Sequence, residues 1–223
     1  MITKLPFVPD HPYTTLSCAI SVDGCLDDCS PRRLILSGPE DLDEVDELRA
    51  SVDAILVGAG TIRADNPRLL VRSPARVAAR AARGRTEQPL RVTMTRRGGL
   101  DATARFFTGP GEAVVYEGDD LTLEDVLRSL AERAVASVLI EGGSAVLASA
   151  LACGLADELR LAVAPFFVGD PRAPRFGVPG LYPNTPASPM RLQSVRQVGT
   201  VAVLRYRLTG RTRPFEPSLS LVQ

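Results

Sequence analysis

Two glycine turns carry the clearest chemical signal in the chain. Gly58-Ala-Gly60-Thr61 follows the short apolar run Asp53-Ala-Ile-Leu-Val57, and Gly142-Gly143-Ser144 follows Ser137-Val-Leu-Ile-Glu141. Glycines at the end of a strand let backbone amides approach phosphate oxygens. Either turn alone is equally an ordinary tight strand-to-helix connection; the pair, with arginines nearby, points to a phosphorylated ligand or a dinucleotide. Gly58-Ala-Gly60 is not followed by the third glycine of the Rossmann fingerprint. Near the first turn Thr61 offers a hydroxyl, Asp65 a carboxylate and Arg72 a planar fork suited to phosphate, with Arg49 as a second such fork. The same residue types also make up solvated surface. Glu141 ends an otherwise apolar strand, where a carboxylate needs a partner or a ligand because burying it unpaired is costly.

Other catalytic chemistries have little to work with. Lys4 is the only lysine and His11 the only histidine, so nearly all basic residues are arginine, which stays protonated and cannot serve as a general base. A serine triad would have to use His11 and a pyridoxal enzyme Lys4, both in a terminal segment punctuated by Pro6, Pro9 and Pro12. The four cysteines, Cys18, Cys25, Cys29 and Cys153, contain no CxxC pair and with one histidine fit no zinc spacing. No metal site is expected, and the thiols read as buried or incidental.

The elements that must position these groups alternate. Tyr13 to Val22 is a β-rich run ending in an Asp23-Gly24 turn, and a second short apolar run, Leu34-Ile-Leu36, precedes Ser37-Gly-Pro-Glu40. That tetrad resembles a capping box, opening a helix to about Ala50 with Leu42, Val45 and Leu48 on one stripe. Ser73 to Gln88 reads as an exposed loop or short surface helix. Pro89 to Met94 and Ala113 to Tyr116 read as strands. Thr122 caps a helix to Ala134 whose apolar face carries Leu123, Val126, Leu127 and Leu130, and a further helix runs from Ser144 to Cys153 before Gly154. Glu158 to Ala164 and Leu192 to Leu208 follow as strands, the latter split into a hairpin near Gly199-Thr200, with a proline-rich connection from Pro165 to Pro189. The pattern predicts an α/β fold, a mixed and mostly parallel sheet covered by helices on both faces and closed by an antiparallel hairpin.

The 223 residues suit one large domain, expected over 13–210, with an N-terminal extension over 1–12 and a C-terminal tail over 211–223. An apolar content of 45% supports a core. With 26 basic and 26 acidic residues the whole-chain field offers nothing to nucleic acid or an anionic membrane. No apolar run approaches the roughly 20 residues of a membrane helix, and the first residues lack a signal peptide's apolar core. A cytoplasmic protein is expected.

Several segments, taken in order, resemble one family. They are Thr15-Leu-Ser-Cys-Ala-Ile-Ser21-Val-Asp-Gly24, Leu48-Arg-Ala50, Asp53 through Leu69 with its Gly-Thr-x-x-x-Asp-x-Pro core, Glu141-Gly-Gly-Ser-Ala-Val-Leu147, and Asp157 to Pro165. Together they resemble the pyrimidine reductase domain of riboflavin biosynthesis, from about Tyr13 to Arg207. The resemblance implies a dihydrofolate-reductase-like, three-layer α/β/α fold. It also implies a homodimer that uses NADPH to reduce a phosphoribosylamino-pyrimidine to its ribitylamino form. It assigns Ala19, Thr61, Asp65 and the turn from Gly143 through Ser144, Ala145 and Val146 to Leu147 to the cofactor, alongside Gly58, Gly60 and Gly142. Arg49, Leu69, Arg72 and Glu141 fall to the substrate, with Asp65 and Glu141 the groups nearest the chemistry. Arg96 and Arg97, just after the third strand, are the expected partners of the NADPH 2′-phosphate, and equally a basic surface turn.

The chain departs from the family pattern in two places. Many relatives place a lysine where this chain has Ser17, and Cys25 to Arg33 differs from a serine- and glycine-rich stretch that usually meets substrate. Proton delivery then falls to water, Asp65, Glu141 or the substrate. No HxE or PCxxC signature of the zinc deaminase often fused upstream is present. The exact substrate stays open on these residues. A paralogue reducing another heterocycle or a pterin, and a nucleotide-binding protein without turnover, are the competing expectations.

Overall fold

The computed structural model describes residues 11–30, 32 and 34–209. The expected extension and tail lie outside these residues apart from His11 and Pro12, as does Lys4. Eight strands form one sheet: β1 (Tyr13–Ser21), β2 (Ala54–Gly58), β3 (Leu90–Thr95), β4 (Ala113–Glu117), β5 (Ser137–Gly142), β6 (Glu158–Ala164), β7 (Arg191–Val198) and β8 (Val201–Arg207). Their order is β4-β3-β2-β5-β1-β6-β8-β7. β1 to β6 pair in parallel, while β8 runs antiparallel to β6 and to its hairpin mate β7. Six helices connect them: α1 (Pro39–Ser51), α2 (Ala59–Asp65), α3 (Pro74–Ala82), the short α4 (Arg105–Thr108), α5 (Leu123–Glu132) and α6 (Ser144–Ala152).

Alternation along the central strands divides the core between two faces. Leu56, Val138 and Ile140 pack with Leu123, Val126, Leu127 and Leu130 of α5 and Val146, Leu147 and Ala150 of α6. Their strand neighbours Ile55, Val57 and Leu139 pack with Ile62 of α2, Phe106 of α4 and Leu48 of α1. The sheet is therefore the middle of three layers, as expected. Because both faces are covered, its central strands read as continuous apolar runs. α5 begins as its sequence predicts: the Thr122 hydroxyl accepts from the Asp125 amide, and the Asp125 carboxylate accepts from the Thr122 amide.

α1 differs from its expectation in two respects. Its N-cap is Gly38, with no side-chain cap hydrogen bond, so Ser37 does not complete a capping box. Its buried residues are Asp41 and Asp46, while Leu42 is 38% exposed. Of the stripe Leu42, Val45, Leu48, Leu48 packs against the core while Leu42 stays exposed, and carboxylates meeting arginines join Leu48 in seating the helix. The segment after Ser73 forms a capped helix, α3, whose Arg80 is buried and donates to the carbonyls of Ala50, Val52 and Thr86.

Candidate active site

β2 and β5 are neighbours in the sheet, so the two glycine turns lie side by side at one sheet edge. α2 leaves β2 toward one face and α6 leaves β5 toward the other, as their core partners show. A crevice must open where successive connections diverge, which is where ligands bind in open α/β sheets. A cleft of about 680 Å³ lies there, lined by Gly58, Gly60, Thr61 and Asp65 on one side and by Glu141 through Leu147 on the other.

Each glycine has a local reason. A Cβ on Gly58 would come within 3.0 Å of Val146 Cγ2, and one on Gly143 within 3.0 Å of Thr61 Oγ1, so the two turns touch only because both lack side chains. Gly142 has φ of +147°, a conformation that favours glycine, and the Gly142–Gly143 peptide is cis. A Cβ on Gly60 would meet nothing within 4 Å; it would project into open space. Gly143 caps α6, so the first amides of that helix lack intrahelical partners. Open space over Gly60, bare amides at α6 and a cleft of this volume fit a dinucleotide.

At the cleft's edge Glu141 meets Arg49. Arg49 Nε donates to Oε1 at 2.6 Å and Nη2 to Oε2 at 2.7 Å, while Nη1 donates to the Leu70 carbonyl at 3.1 Å. Burial works against the guanidinium charge, but the Glu141 carboxylate overrides it and raises the Arg49 pKa. Both Glu141 oxygens accept here, so Glu141 presents no proton in this arrangement. Cys18 lies on the cleft floor; burial pushes its thiol up to about 12, with Arg160 pulling the other way, so it is neutral at physiological pH.

The other expected residues are distributed unevenly. Ala19 and Asp65 line the cleft, Asp65 as the half-buried last residue of α2. Arg49, Leu69 and Arg72 do not line it. Leu69 is 2% exposed with φ of +51° and packs with Ile55 and Val57, which places it in the core rather than against a ligand. Arg72 is exposed and donates to the Leu42 carbonyl at 2.7 Å. Arg96 and Arg97 are exposed on the turn after β3 and are not among the lining residues.

Of the far wall, only the Cys25 to Arg33 stretch was anticipated, from the family resemblance. Leu26, Asp27, Leu34, Ile35, Leu36, Leu42 and Pro174 complete the cleft. Asp27 Oδ1 accepts from the amides of Asp28 and Leu34 and so draws the end of that segment back. The hydrophobicity of Leu34-Ile-Leu36 was visible, but nothing local told a wall from a strand. Arg63 was also missed. It donates to the Gly98 carbonyl at 2.5 Å and ties α2 to the turn bearing Arg96 and Arg97.

The fold is of the dihydrofolate-reductase-like α/β class. A dihydrofolate reductase from Enterococcus faecalis superposes with a TM-score of 0.55 at 14% identity over 89% of this chain and 97% of that one, a likeness of fold. Residues 12–204 match the model of the RibD C-terminal domain, and the chain belongs to that family. Among similar proteins, the 2,5-diamino-6-ribosylamino-4(3H)-pyrimidinone 5′-phosphate reductase of Archaeoglobus fulgidus is 32% identical over 186 residues, covering 74% of this chain and 85% of that protein. RibD of Acinetobacter baumannii has a TM-score of 0.77 at 26% identity, covering 90% of this chain. This chain spans 58% of the length of that RibD.

Proposed function

We propose that this chain is an NADPH-dependent reductase that converts a phosphoribosylamino-pyrimidine, in its diamino or deaminated form, to the ribitylamino compound of riboflavin biosynthesis. The observation that carries this reading is the crevice between the two glycine turns with the Arg49–Glu141 pair at its edge. Membership of the family and the activity for which the archaeal relative is named support it.

When bound, the nicotinamide supplies a hydride to the sugar C1′ in its ring-opened imine form. The chain's task is to orient two ligands and exclude water. Gly60 and the Gly143 to Leu147 turn receive the dinucleotide. Glu141, held by Arg49, accepts hydrogen bonds from polar groups of the substrate, and Arg72 at the rim takes its phosphate. Thr61 and Asp65 line the same cleft and face the cofactor. The proton that completes the reduction comes from water, Asp65 or the substrate itself. Arg96 and Arg97 read the 2′-phosphate, so replacing both with alanine raises KM for NADPH at least tenfold while KM for NADH changes less than twofold. Equal changes for the two cofactors would remove that assignment.

A second reading has a specific observation behind it. No basic residue lines the cleft among the described residues, and its far wall is aliphatic, which favours a less anionic heterocycle. Following the nicotinamide absorbance band with the phosphorylated pyrimidine and with its dephosphorylated analogue separates the two. Oxidation with the phosphorylated compound, lost on Arg72→Ala, supports the first reading; oxidation with uncharged heterocycles alone supports the second. Binding without oxidation would reject both. No helix among the described residues is long and apolar enough to cross a membrane. A cytoplasmic homodimer is proposed on the family resemblance, and the exposed Leu192 and Val195 of edge strand β7 are apolar surface such an assembly would cover.

A further inference from the structure

Every polar group assigned above to the substrate is held by helix α1. Its Arg49 grips both oxygens of Glu141. The carbonyl of its Leu42 accepts from Arg72 Nη2 at 2.7 Å, and its Asp46 accepts from the Arg72 amide at 2.6 Å and the Ser73 amide at 3.1 Å. Leu42 itself lines the cleft. Where α1 sits therefore decides where Glu141, Arg72 and one wall of the cleft sit.

What seats the N-terminal half of α1 is charge. Arg160 of β6 and Asp41 of α1 are each 1% exposed and in contact at 2.5 Å. The same Arg160 nitrogen, Nη2, meets Glu44 Oε2 at 3.0 Å, and Glu44 is also held by Arg196 of β7. Arg160 rises from the sheet between Ser17 on β1 and Arg205 on β8, so the acidic side of α1 lies on a basic strip of the sheet. Arg160 does not itself line the cleft, and among the described residues its Nε has no hydrogen-bond partner. Removing one member of such a buried pair strands the other charge, whereas a neutral surface contact would scarcely notice.

We propose that Arg160, through Asp41 and Glu44, is a positioning residue for substrate: it fixes α1 and thereby the orientation of Glu141 and Arg72. This rests on the substrate reading given above. Because both contacts are made by one nitrogen, a lysine ammonium can replace the guanidinium here.

The test compares Arg160→Met, Arg160→Lys and Asp41→Asn in the full chain, by steady-state kinetics with the phosphoribosylamino-pyrimidine, NADPH binding and amide hydrogen exchange. Arg160→Met is expected to raise substrate KM at least fivefold, with kcat within threefold and the NADPH Kd within twofold, and Arg160→Lys to recover substrate KM to within twofold of the parent. Exchange over α1 should quicken at least tenfold while that over α6 stays unchanged. If Arg160→Met does not fold, Asp41→Asn, which keeps the volume and leaves Glu44 on Arg160, carries the same expectations. Faster exchange in α1 with an unchanged substrate KM would overturn the proposal, as would equal losses in substrate KM and NADPH Kd. Failure of the parent protein to oxidise NADPH would instead reject the substrate reading, and the exchange data would then stand alone on whether Arg160 seats α1.

Discussion

Arg49 and Glu141 illustrate how a residue's role depends on what holds it. Glu141 alone would be a half-buried carboxylate with a desolvation cost; with Arg49 it is a fixed acceptor beside the cleft. Glu141→Gln should therefore lower kcat/KM for the substrate at least tenfold with the NADPH Kd within twofold, measured by steady-state kinetics and fluorescence titration. A lost cofactor affinity with unchanged substrate KM would contradict that role. Gly60 makes the complementary case. Its Cβ position is open and its backbone is helical, so Gly60→Ala should raise folding stability by about 0.5–1 kcal/mol. It should also weaken NADPH binding at least tenfold, because the added methyl projects into the cleft. Gained stability with unchanged cofactor affinity would show that the cofactor lies elsewhere. The chemistry of these two residues was legible in the sequence, since glycines at strand ends and a carboxylate closing an apolar strand are local signals. Leu69 was not: it sits in a segment outside any helix or strand, and only the fold shows that φ of +51° turns it into the core.

At the scale of elements, α5 and α1 are opposites. α5 carries its own instructions, a capping box and an apolar face, and forms where those signals lie. α1 was found at the expected place, but its apolar stripe tells only part of what seats it, because Arg160 and Arg196, which hold its acidic side, lie more than a hundred residues away along the chain. Long-range ion pairs leave no periodic trace. They leave a pH dependence instead. Asp43, Glu44 and Asp46 all have pKa values below the ordinary carboxylate range. Hydrogen bonds from Arg76 lower Asp43. Burial opposes the shift at Glu44 and at Asp46, but Arg160 and Arg196 outweigh it at the first, as do the Arg72 and Ser73 amides with Arg76 at the second. A carboxylate whose folded pKa is depressed adds stability above its unfolded pKa, near pH 4, and loses it as pH falls through the folded value. The docking of α1 should thus be complete at neutral pH and fail below about pH 4. Amide exchange at pH 7, 4 and 3, corrected for intrinsic rates, should show α1 losing protection before α5. Equal loss in both helices would contradict the assignment.

The whole molecule places its reactive region where the sheet's connections part, and everything else keeps that parting in shape. The division of Leu56 from Ile55 and Val57 between opposite faces sends α2 and α6 apart, and the glycines let the ends of β2 and β5 stay in contact beneath them. Arginine takes over structural work in a chain with one lysine: Arg80 and Arg91 are buried and staple backbone carbonyls, while Arg160 seats a helix. The alternation of strands and helices made the architecture readable in advance. The far wall of the cleft was readable only where the family resemblance marked Cys25 to Arg33, because Leu34 to Leu36 become neighbours of the glycine turns only once the sheet has formed. The central claim is that this cleft carries a hydride from a nicotinamide to the sugar carbon of a phosphoribosylamino-pyrimidine. Incubating the protein with NADPH deuterated at nicotinamide C4 and the diamino substrate, then locating the label by mass spectrometry, tests it most directly. Deuterium at C1′ of a ribitylamino product is the predicted result; NADPH bound but unoxidised, with the substrate recovered unlabelled, would contradict it.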